Sequence, residues 1–591
     1  MKRPGCFDVR PRTPVVVSLG PHYHGAAYPR PDVKNALGLL FGQASRTASH
    51  VTRPSRCAMR GLYQHTSDAL DGLVSGWAHN ARIDELALGE VEDFKDFIDG
   101  SKSWTTGQKR KIYALFLLHC PFLFTLSHDA ESLLLKRMWY RILAFCKREG
   151  YPEYKAFRGI NGRDDLAKVM IGPLIRAAEK ELYSKWGGNV KHMTFAERIT
   201  KLRKAHSAYK FHYSFDGSAF ESSFFKELLA PTEALVYERL FGRELADFIF
   251  NVCYTENVAD SDNFELVWQA RRASGDMQTA FGNWLVNILV QTKILAELGI
   301  TDYAIHVEGD DCIVSTNVPI FPTKELYAQY GFIAKVVVDE DLSKHSFCGA
   351  VFGPDGDGLT DVRKVILNFG WTDSKYGLAP RWLKDKLLVT KALSYGYQYP
   401  NCPVVRNMAE WIFRVLPHVE ADIDLLLTGG HPHRAFYPEF SVVDFRSRHP
   451  LKDLSHNLEA LRDSFGLDPD HCRLMMWYFD NKVGLDPYHF DFMDVKDDWV
   501  EYFSECASDA STLDDPSEHP SEDHIVSFFE VAGASPGKYR VTDWSTLSYV
   551  VEEPPAEITV EPEDAIDRHM LSYGACRYRS EPAGHHSTIV E

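Results

Sequence analysis

Two adjacent carboxylates, Asp310 and Asp311, are the residues of this chain whose types and spacing are best suited to chemistry. They follow Gly309 and lie between two apolar, β-prone runs, Ala304–Val307 and Cys312–Val314. The pattern predicts a β-hairpin whose tight turn presents both acids. Carboxylate oxygens are the ligands that Mg²⁺ prefers, so one interpretation of the turn is a metal site. A solvated surface turn is the alternative, because Gly-Asp dipeptides are common in exposed hairpins.

A third acid, Asp216, directly follows the aromatic run Phe211–Phe215, which is typical of a strand. The end of this strand is expected to carry Asp216 outward. Glu221 follows five positions later, where the next turn can return its side chain to the same face. The alternative role for Asp216 is that of an N-cap for a helix beginning near Ser218.

A small-residue loop, Ser274 and Gly275, precedes a predicted helix. Thr279, Asn283 and Asn287 recur along this helix at four-residue spacing and form one polar stripe. A solvated helix face and a helix cap at Ser274 are the alternatives. Neither explains why the stripe consists of amides and a hydroxyl instead of lysine and glutamate.

In chain order, the acid-tipped strand, the Ser-Gly loop with its amide-bearing helix and the Gly-Asp-Asp hairpin resemble motifs A, B and C of viral RNA polymerases. The chain is most similar to the RNA-dependent RNA polymerases of positive-strand RNA viruses, closest to the tombusvirus-like group. Motif B of that group typically begins Ser-Gly-Asp-Met, as at Ser274–Met277. Further similarity extends over about residues 100–375 and comprises Trp104–Tyr113, Arg158–Arg163 as motif F, Tyr330–Lys335 as motif D and Ser346–Gly349 as motif E.

The resemblance implies an α+β fold, a right-handed polymerase of fingers, palm and thumb with an antiparallel palm sheet. It implies template-directed RNA synthesis from NTPs, which replicates a positive-strand RNA virus genome. The expected partners are the RNA template and product, NTPs and other viral replication proteins. The expected location is the host cytoplasm, at viral replication complexes.

Two alternatives to RNA synthesis are a reverse transcriptase and a non-catalytic RNA-binding replication protein with a polymerase fold. A reverse transcriptase is expected to carry Tyr-x-Asp-Asp at the hairpin, whereas this chain has Glu308 and Gly309 before its two aspartates. The intact acids at 216, 310 and 311 disfavour the non-catalytic alternative.

The resemblance also implies roles in a two-metal nucleotidyl transfer. Asp216 and Asp310 are expected to bind two Mg²⁺ ions, for which Mn²⁺ is a substitute, and Asp311 is expected to be a secondary ligand. The implied substrate-binding residues are Glu221, Ser274, Gly275, Thr279, Asn283, Arg158, Arg163 and Lys168. Asn283, Glu221 and Thr279 are expected to contact the ribose 2′-hydroxyl, and the basic residues to balance the triphosphate charge.

Lys335 is the candidate general acid that protonates the pyrophosphate, with Lys344 as its rival and a salt-bridged surface lysine as the alternative. Three features of the sequence depart from the pattern of the group. Glu221 stands where aspartate is usual and Gln278 where asparagine is frequent, and the motif F segment has few basic residues.

The predicted domains are an N-terminal extension, fingers with the motif F-like segment, a palm with motifs A to E, a mainly helical thumb and an acidic tail. Their bounds are 1–100, 101–205, 206–365 (with a fingers insertion at about 230–268), 366–500 and 501–591. The tail has no lysine or arginine between Glu505 and Glu530, a composition that buries little and is typical of disorder. A short foldable patch is predicted at Tyr539–Val551, and truncation at about Ser504 is expected to leave the body folded.

The net charge of −17 alone disfavours nucleic acid as a partner. Its distribution is uneven, because residues 1–60 carry ten lysines and arginines against two acids, so charge decides nothing here. No run reaches the roughly 18 apolar residues that span a bilayer, which predicts no membrane-spanning segment. The eleven cysteines include no C-x-x-C pair, which disfavours a zinc ribbon and a disulfide framework.

Overall fold

The fold of the chain is taken from a computed structural model. The residues that it describes are 16–24, 39, 42–43, 53–74, 95, 98–99, 106–123, 141–147, 149–151, 158–191, 193–254, 256–261, 264–354, 356–427, 440–493, 539–542 and 565–572. They form helices and mainly antiparallel sheets, which confirms the predicted mixture of the two. Among these residues no helix combines the length and the apolar character needed to cross a bilayer.

The strands lie mostly between residues 141 and 373. In chain order they are β1 (Val16–Ser18), β2 (Arg141–Cys146), β3 (Gly159–Arg163), β4 (Phe211–Gly217), β5 (Glu256–Asp260), β6 (Phe264–Gln269), β7 (Tyr303–Glu308), β8 (Asp311–Thr316), β9 (Ala334–Asp339), β10 (Ser346–Phe347), β11 (Ala350–Phe352), β12 (Gly358–Thr360), β13 (Trp371–Asp373) and β14 (Tyr539–Thr542).

The helices flank the strands and dominate after residue 380. They are α1 (Arg56–Val74), α2 (Thr106–Leu123), α3 (Asp165–Lys185), α4 (Phe195–His206), α5 (Lys226–Leu229), α6 (Leu235–Phe241), α7 (Arg243–Tyr254), α8 (Thr279–Glu297), α9 (Lys324–Gln329), α10 (Val362–Asn368), α11 (Arg381–Gln398), α12 (Val405–Val415), α13 (Ile423–Leu427), α14 (Val442–Arg448), α15 (Leu458–Phe465), α16 (Pro469–Asn481) and α17 (Ala565–Ser572). A π-helical turn, Ala230–Ala234, joins α5 to α6.

A four-stranded antiparallel sheet in the order β7–β8–β4–β9 carries the predicted acids. Its central strands are covered on both faces, which explains why apolar residues follow one another along β8 at Cys312–Val314. On one face Tyr213, Phe215 and Val314 pack into the core that includes α8. On the other face Ile313 contacts the cluster that includes Leu202 of α4. The sheet is therefore a rigid layer whose ends are set by strand register.

Part of the second face is polar and consists of buried histidines that bond to serines. His206 Nδ1 lies 2.7 Å from Ser315 Oγ, and its Nε2 lies 3.0 Å from His306 Nδ1. Burial and the neighbouring histidines lower the pKa of His206 to about 3, and burial lowers that of His306 to about 4. Both rings are therefore neutral at pH 7, and they hold the sheet to α4 without placing charge in the core.

A five-stranded mixed sheet in the order β14–β6–β5–β2–β3 lies at one side of this body. Its edge strand β3 contacts the loop before α8 through a parallel bridge between Gly162 and Gly275. The backbones approach so closely that a Cβ on Gly275 would lie 2.3 Å from the carbonyl oxygen of Asn161. The predicted Ser-Gly loop is thereby attached to this sheet.

Helices α11 to α16 form a second core around Leu388, Trp411 and Phe479. The N-terminal strand β1 pairs with β13, and the Tyr23 hydroxyl donates to the carbonyl of Phe490 at 2.8 Å. The early N-terminal segment therefore belongs to the helical part of the chain in space.

Two segments of the predicted acidic tail are ordered against the body, which corrects the expectation that residues 501–591 contribute little to a core. Strand β14 lies within the predicted foldable patch and pairs with β6. Helix α17 was not predicted, and it packs on α1. Its Asp567 accepts from Arg56 at 2.5 Å and Arg60 at 2.8 Å, and Met570 is 1% exposed within the main core.

We expect α17 to stabilise the body, in contrast to the predicted tolerance of truncation at Ser504. Deletion of residues 565–591 should lower the melting temperature by several degrees. The loss of Met570 burial costs about 2 kcal/mol, and roughly 2–4 °C accompany each kcal/mol in domains of moderate size. Deletion of residues 573–591 alone is the control and should leave the melting temperature unchanged. Equal melting temperatures for both truncations, measured by calorimetry, would show that α17 is dispensable.

Candidate active site

The predicted hairpin of Asp310 and Asp311 is confirmed. Strands β7 and β8 are antiparallel, and Glu308 pairs with Asp311 across a turn of Gly309 and Asp310. Gly309 has φ +63°, a left-handed conformation at the first turn position for which glycine is favoured. The turn therefore places the two carboxylates side by side at one end of the sheet.

Asp216 reaches the same end of the sheet through strand β4. Phe215 pairs with Cys312 in antiparallel register, so the next residue, Asp216, comes beside Asp311. Burial, followed by the charges of Asp310, Asp216 and Glu308, raises the pKa of Asp311 to about 7. The predicted acids from two separate motifs are thus brought together, and their mutual repulsion is large enough to displace a carboxyl pKa.

This carboxylate cluster fits a hard divalent cation, because a cation offsets both the burial and the repulsion that raise the pKa of Asp311. Within the described part of the chain, no three histidine, cysteine, aspartate or glutamate side chains enclose an ion by themselves. Mg²⁺ usually keeps several waters and is completed by substrate phosphates. The open arrangement suits such a cation better than a closed structural site.

The turn is held from behind by Asn287 of α8, which donates to the carbonyls of Gly309 at 3.1 Å and Asp310 at 3.0 Å. Gln291 donates to the Asn287 side-chain oxygen at 3.2 Å, and the Tyr327 hydroxyl donates to Gln291 at 2.7 Å. Asn287 was recognised as part of the polar stripe but not as a site residue. The sequence signal that could have indicated its role is its position four residues after Asn283, on the same face of the helix.

The loop residues before α8 mostly bond within the protein. The Ser274 hydroxyl accepts from the backbone N–H of Asn161 at 3.1 Å, and the Thr279 hydroxyl donates to the carbonyl of Ala273 at 2.9 Å. These contacts fix the loop against β3 and α8.

Asn283 differs from its neighbours on the stripe. It is 5% exposed, and its side-chain oxygen has no hydrogen-bond partner among the described residues. A buried acceptor without a partner is costly, and a hydroxyl group of a ligand would satisfy it. Asn283 is therefore the member of the stripe with an unused acceptor.

Glu221 lies on a short 3₁₀ helix, Phe220–Ser223, directly after β4. Its carbonyl accepts from the backbone N–H of Arg272 at 3.4 Å. Its charge counteracts the burial that lowers the pKa of Arg272. Glu221 is thus placed between the strand that carries Asp216 and the segment that precedes the Ser-Gly loop.

The predicted basic residues are placed differently from one another. Arg158 is half-exposed and lies 3.7 Å from Glu149, and Lys168 lies 3.2 Å from Asp165 on α3. Lys335 is exposed and pairs in register with Asp216 across β4 and β9. Its rival Lys344 instead bonds to Asp463 at 2.6 Å. Lys335 is therefore the lysine beside the acids.

Arg163 requires a correction, because its side chain is 1% exposed. Its guanidinium donates to both carboxylate oxygens of Asp276, and to the side chain of Asn257 at 2.7 Å. All of this lies inside the protein, on the side of β3 that faces α7. The predicted contact of Arg163 with a triphosphate is not available in this structure.

Comparison with known proteins identifies the part of the chain that contains this site. Residues 155–401 match the family described as viral RNA-dependent RNA polymerase. No curated protein matches the chain. The family match covers all the residues discussed in this subsection except Glu149 and Asp463, and it confirms the predicted resemblance to viral RNA-dependent RNA polymerases and the predicted nucleotidyltransferase activity.

Asn287 allows a test of how the acid-bearing turn is held. Asn287→Leu keeps the side-chain volume but leaves two turn carbonyls without donors, at about 1 kcal/mol each. We expect the rate of nucleotide incorporation to fall roughly ten- to thirtyfold, while RNA affinity is unchanged. The matched control is Thr292→Val on the same helix, whose hydroxyl bonds to its own helix backbone and to His65 of α1, away from the turn. Normal incorporation by Asn287→Leu in a single-turnover assay would contradict the role.

Proposed function

Because residues 155–401 are those of a viral RNA-dependent RNA polymerase, we propose that the chain copies the genome of a positive-strand RNA virus from NTPs. The observation that carries the proposal is the meeting of Asp216, Asp310 and Asp311 at one end of the four-stranded sheet. The proposed partners are the RNA template and product and other viral replication proteins. The proposed location is the host cytoplasm, at viral replication complexes.

The proposed arrangement is a right-handed polymerase. The four-stranded sheet within residues 206–365 would be the palm, and helices α11 to α16 the thumb. The mixed sheet would form the fingers, with strands from 101–205 and from an insertion at about 230–268. The attachment of Gly275 to β3 supports this assignment, since it connects the mixed sheet to the loop beside the acids.

Asp216 and Asp310 are the residues that would hold two Mg²⁺ ions, with Mn²⁺ as a substitute and Asp311 as a secondary ligand. When bound, two such ions stabilise the attacking and the leaving oxygen of a phosphoryl transfer. The raised pKa of Asp311 supports this assignment, because burial and the two neighbouring aspartates disfavour a negative charge on Asp311 that a bound cation would stabilise. Asn287 and Gly309 keep the turn in the conformation that presents the acids.

Ribose selection is proposed to depend on Asn283 and Glu221. The unpartnered oxygen of Asn283 can accept a hydrogen bond from a 2′-hydroxyl, the group that distinguishes RNA precursors from DNA precursors. Thr279 supports the loop, since its hydroxyl already donates to Ala273. This arrangement favours RNA synthesis over reverse transcription.

Arg158 and Lys168 remain the candidates for balancing the triphosphate charge, and Lys335 is the candidate that protonates the pyrophosphate. The exposure of Lys335 and its position opposite Asp216 support the last assignment. A phosphate ligand needs a positive charge within reach of the site, and the position of Lys335 beside Asp216 meets that need.

The metal assignment predicts that Asp310→Ala and Asp216→Ala each abolish template-dependent NTP incorporation in the presence of Mg²⁺. RNA affinity should change little, because it comes mainly from cationic contacts with phosphates. The matched control is Asp339→Ala at the opposite end of the same sheet. Incorporation by the purified Asp310→Ala or Asp216→Ala protein at near the normal rate would refute the assignment.

The ribose assignment predicts that Asn283→Ala lowers NTP use more than dNTP use. The lost hydrogen bond is worth about 1–3 kcal/mol, so the ratio of kcat/KM for GTP and dGTP should narrow by about ten- to a hundredfold. Glu221→Asp restores the usual acid and should have a mild effect. An equal loss for both nucleotides would mean that Asn283 positions the helix or the template instead.

A further inference from the structure

We propose that Arg163 and Asp276 form a buried pair that sets the position of the Ser274–Gly275 loop, so that Arg163 is a positioning residue of the polymerase and not a ligand of the triphosphate. The inference rests on the proposed function for its meaning in catalysis. The contacts that carry it are independent of any ligand.

The first step is the enclosure of the pair. The side chains of Arg163 and Asp276 are 1% and 0% exposed. The guanidinium bonds to both oxygens of Asp276, to the Asn257 side chain at 2.7 Å and to the carbonyl of Val252 at 3.2 Å. Its donors are directed at protein acceptors, and its charge is matched by one carboxylate.

The second step is the connection from the pair to the loop. Asp276 belongs to the loop itself, and its Oδ2 also accepts from the backbone N–H of Ala273 at 3.2 Å. Arg163 ends β3, whose Asn161 and Gly162 contact Ser274 and Gly275 directly. The pair therefore joins the two backbones at the point where they are closest.

A second buried pair, Arg272 and Glu233, holds the other side of the same loop. Both side chains are 0% exposed, and Arg272 also donates to the carbonyl of Gln278 at 3.3 Å. The hydroxyls of Tyr237 and Tyr254 donate to Glu233 at 3.1 and 3.0 Å. Residues 272 and 276 are thus each fixed by an enclosed ion pair, with the loop between them.

The space around the second pair leaves no room for adjustment in α8. A Cβ on Gly282 would lie 2.5 Å from both Arg272 and Glu233. The first turn of α8, which leads to Asn283, is therefore packed against this pair. The two pairs together define where the loop and the ribose-facing side of α8 lie relative to the acids.

The test uses the different requirements of a buried pair and a phosphate ligand. Arg163→Lys keeps the charge, which suffices for phosphate, but it lacks the planar fork that bonds both oxygens of Asp276. We expect Arg163→Lys and Asp276→Asn each to lower kcat for NTP incorporation about ten- to a hundredfold, with little change in KM. The kcat of the variant with both substitutions should be no lower than that of the less active single variant. Arg176→Met, which removes a partly exposed arginine of α3 that pairs with Glu179 on the same helix, is the control and should behave as wild type.

Three other results would contradict the proposed role of Arg163. Retained activity in Arg163→Lys, a raised KM for NTPs in Arg163→Lys alone, or additive losses in the double variant would overturn the proposal and restore a triphosphate contact.

Hydrogen exchange gives a readout that does not depend on polymerase activity. Exchange of the amides of residues 273–279 should become faster in Arg163→Lys and Asp276→Asn but not in Arg176→Met, and unchanged exchange would overturn the proposal. If the wild-type protein incorporates no NTP, the proposed function fails, while the exchange experiment still decides the role of the pair.

Discussion

The mutual repulsion of Asp216, Asp310 and Asp311 is the constraint on which the arrangement of the site depends. Burial, together with the charges of the neighbouring carboxylates, raises the pKa of Asp311 to about 7, so the three acids disfavour one another's charge. Only a rigid frame keeps such groups together, because flexible segments would relax to separate them. The strand register of β4 and β8 and the two hydrogen bonds from Asn287 to the turn provide that frame.

The same requirement explains the polar groups inside the protein. A buried ion pair contributes little net stability, because the loss of hydration offsets the attraction. Such pairs are better suited to fixing one conformation, and in this chain the pairs of Arg163 and Arg272 enclose one loop. The histidines beneath the sheet remain neutral, because burial lowers the pKa of His206 and of His306.

Sequence patterns predicted the features that depend on local order. The two apolar runs on either side of the Gly309 turn predicted the hairpin, and the aromatic run before Asp216 predicted a strand, because turn chemistry and strand propensity act over a few residues. The burial of Arg163 was missed, since it is decided by Asp276, 113 positions away. Helix α17 was missed for a similar reason: eight residues in an acidic segment become part of the core through contacts with distant segments, α1 and the π-helical turn at Ala230.

The packing of α17 on α1 also has a consequence for folding during translation. Roughly 500 residues separate the two helices, which at about 5–20 residues per second corresponds to on the order of 25–100 s of translation. Until α17 is made, Arg56 and Arg60 lack the carboxylate of Asp567, and the part of the main core that Met570 fills is not covered by this helix. A body that folds before α17 is synthesised therefore exposes apolar surface, and transient exposure of this kind favours aggregation or chaperone binding.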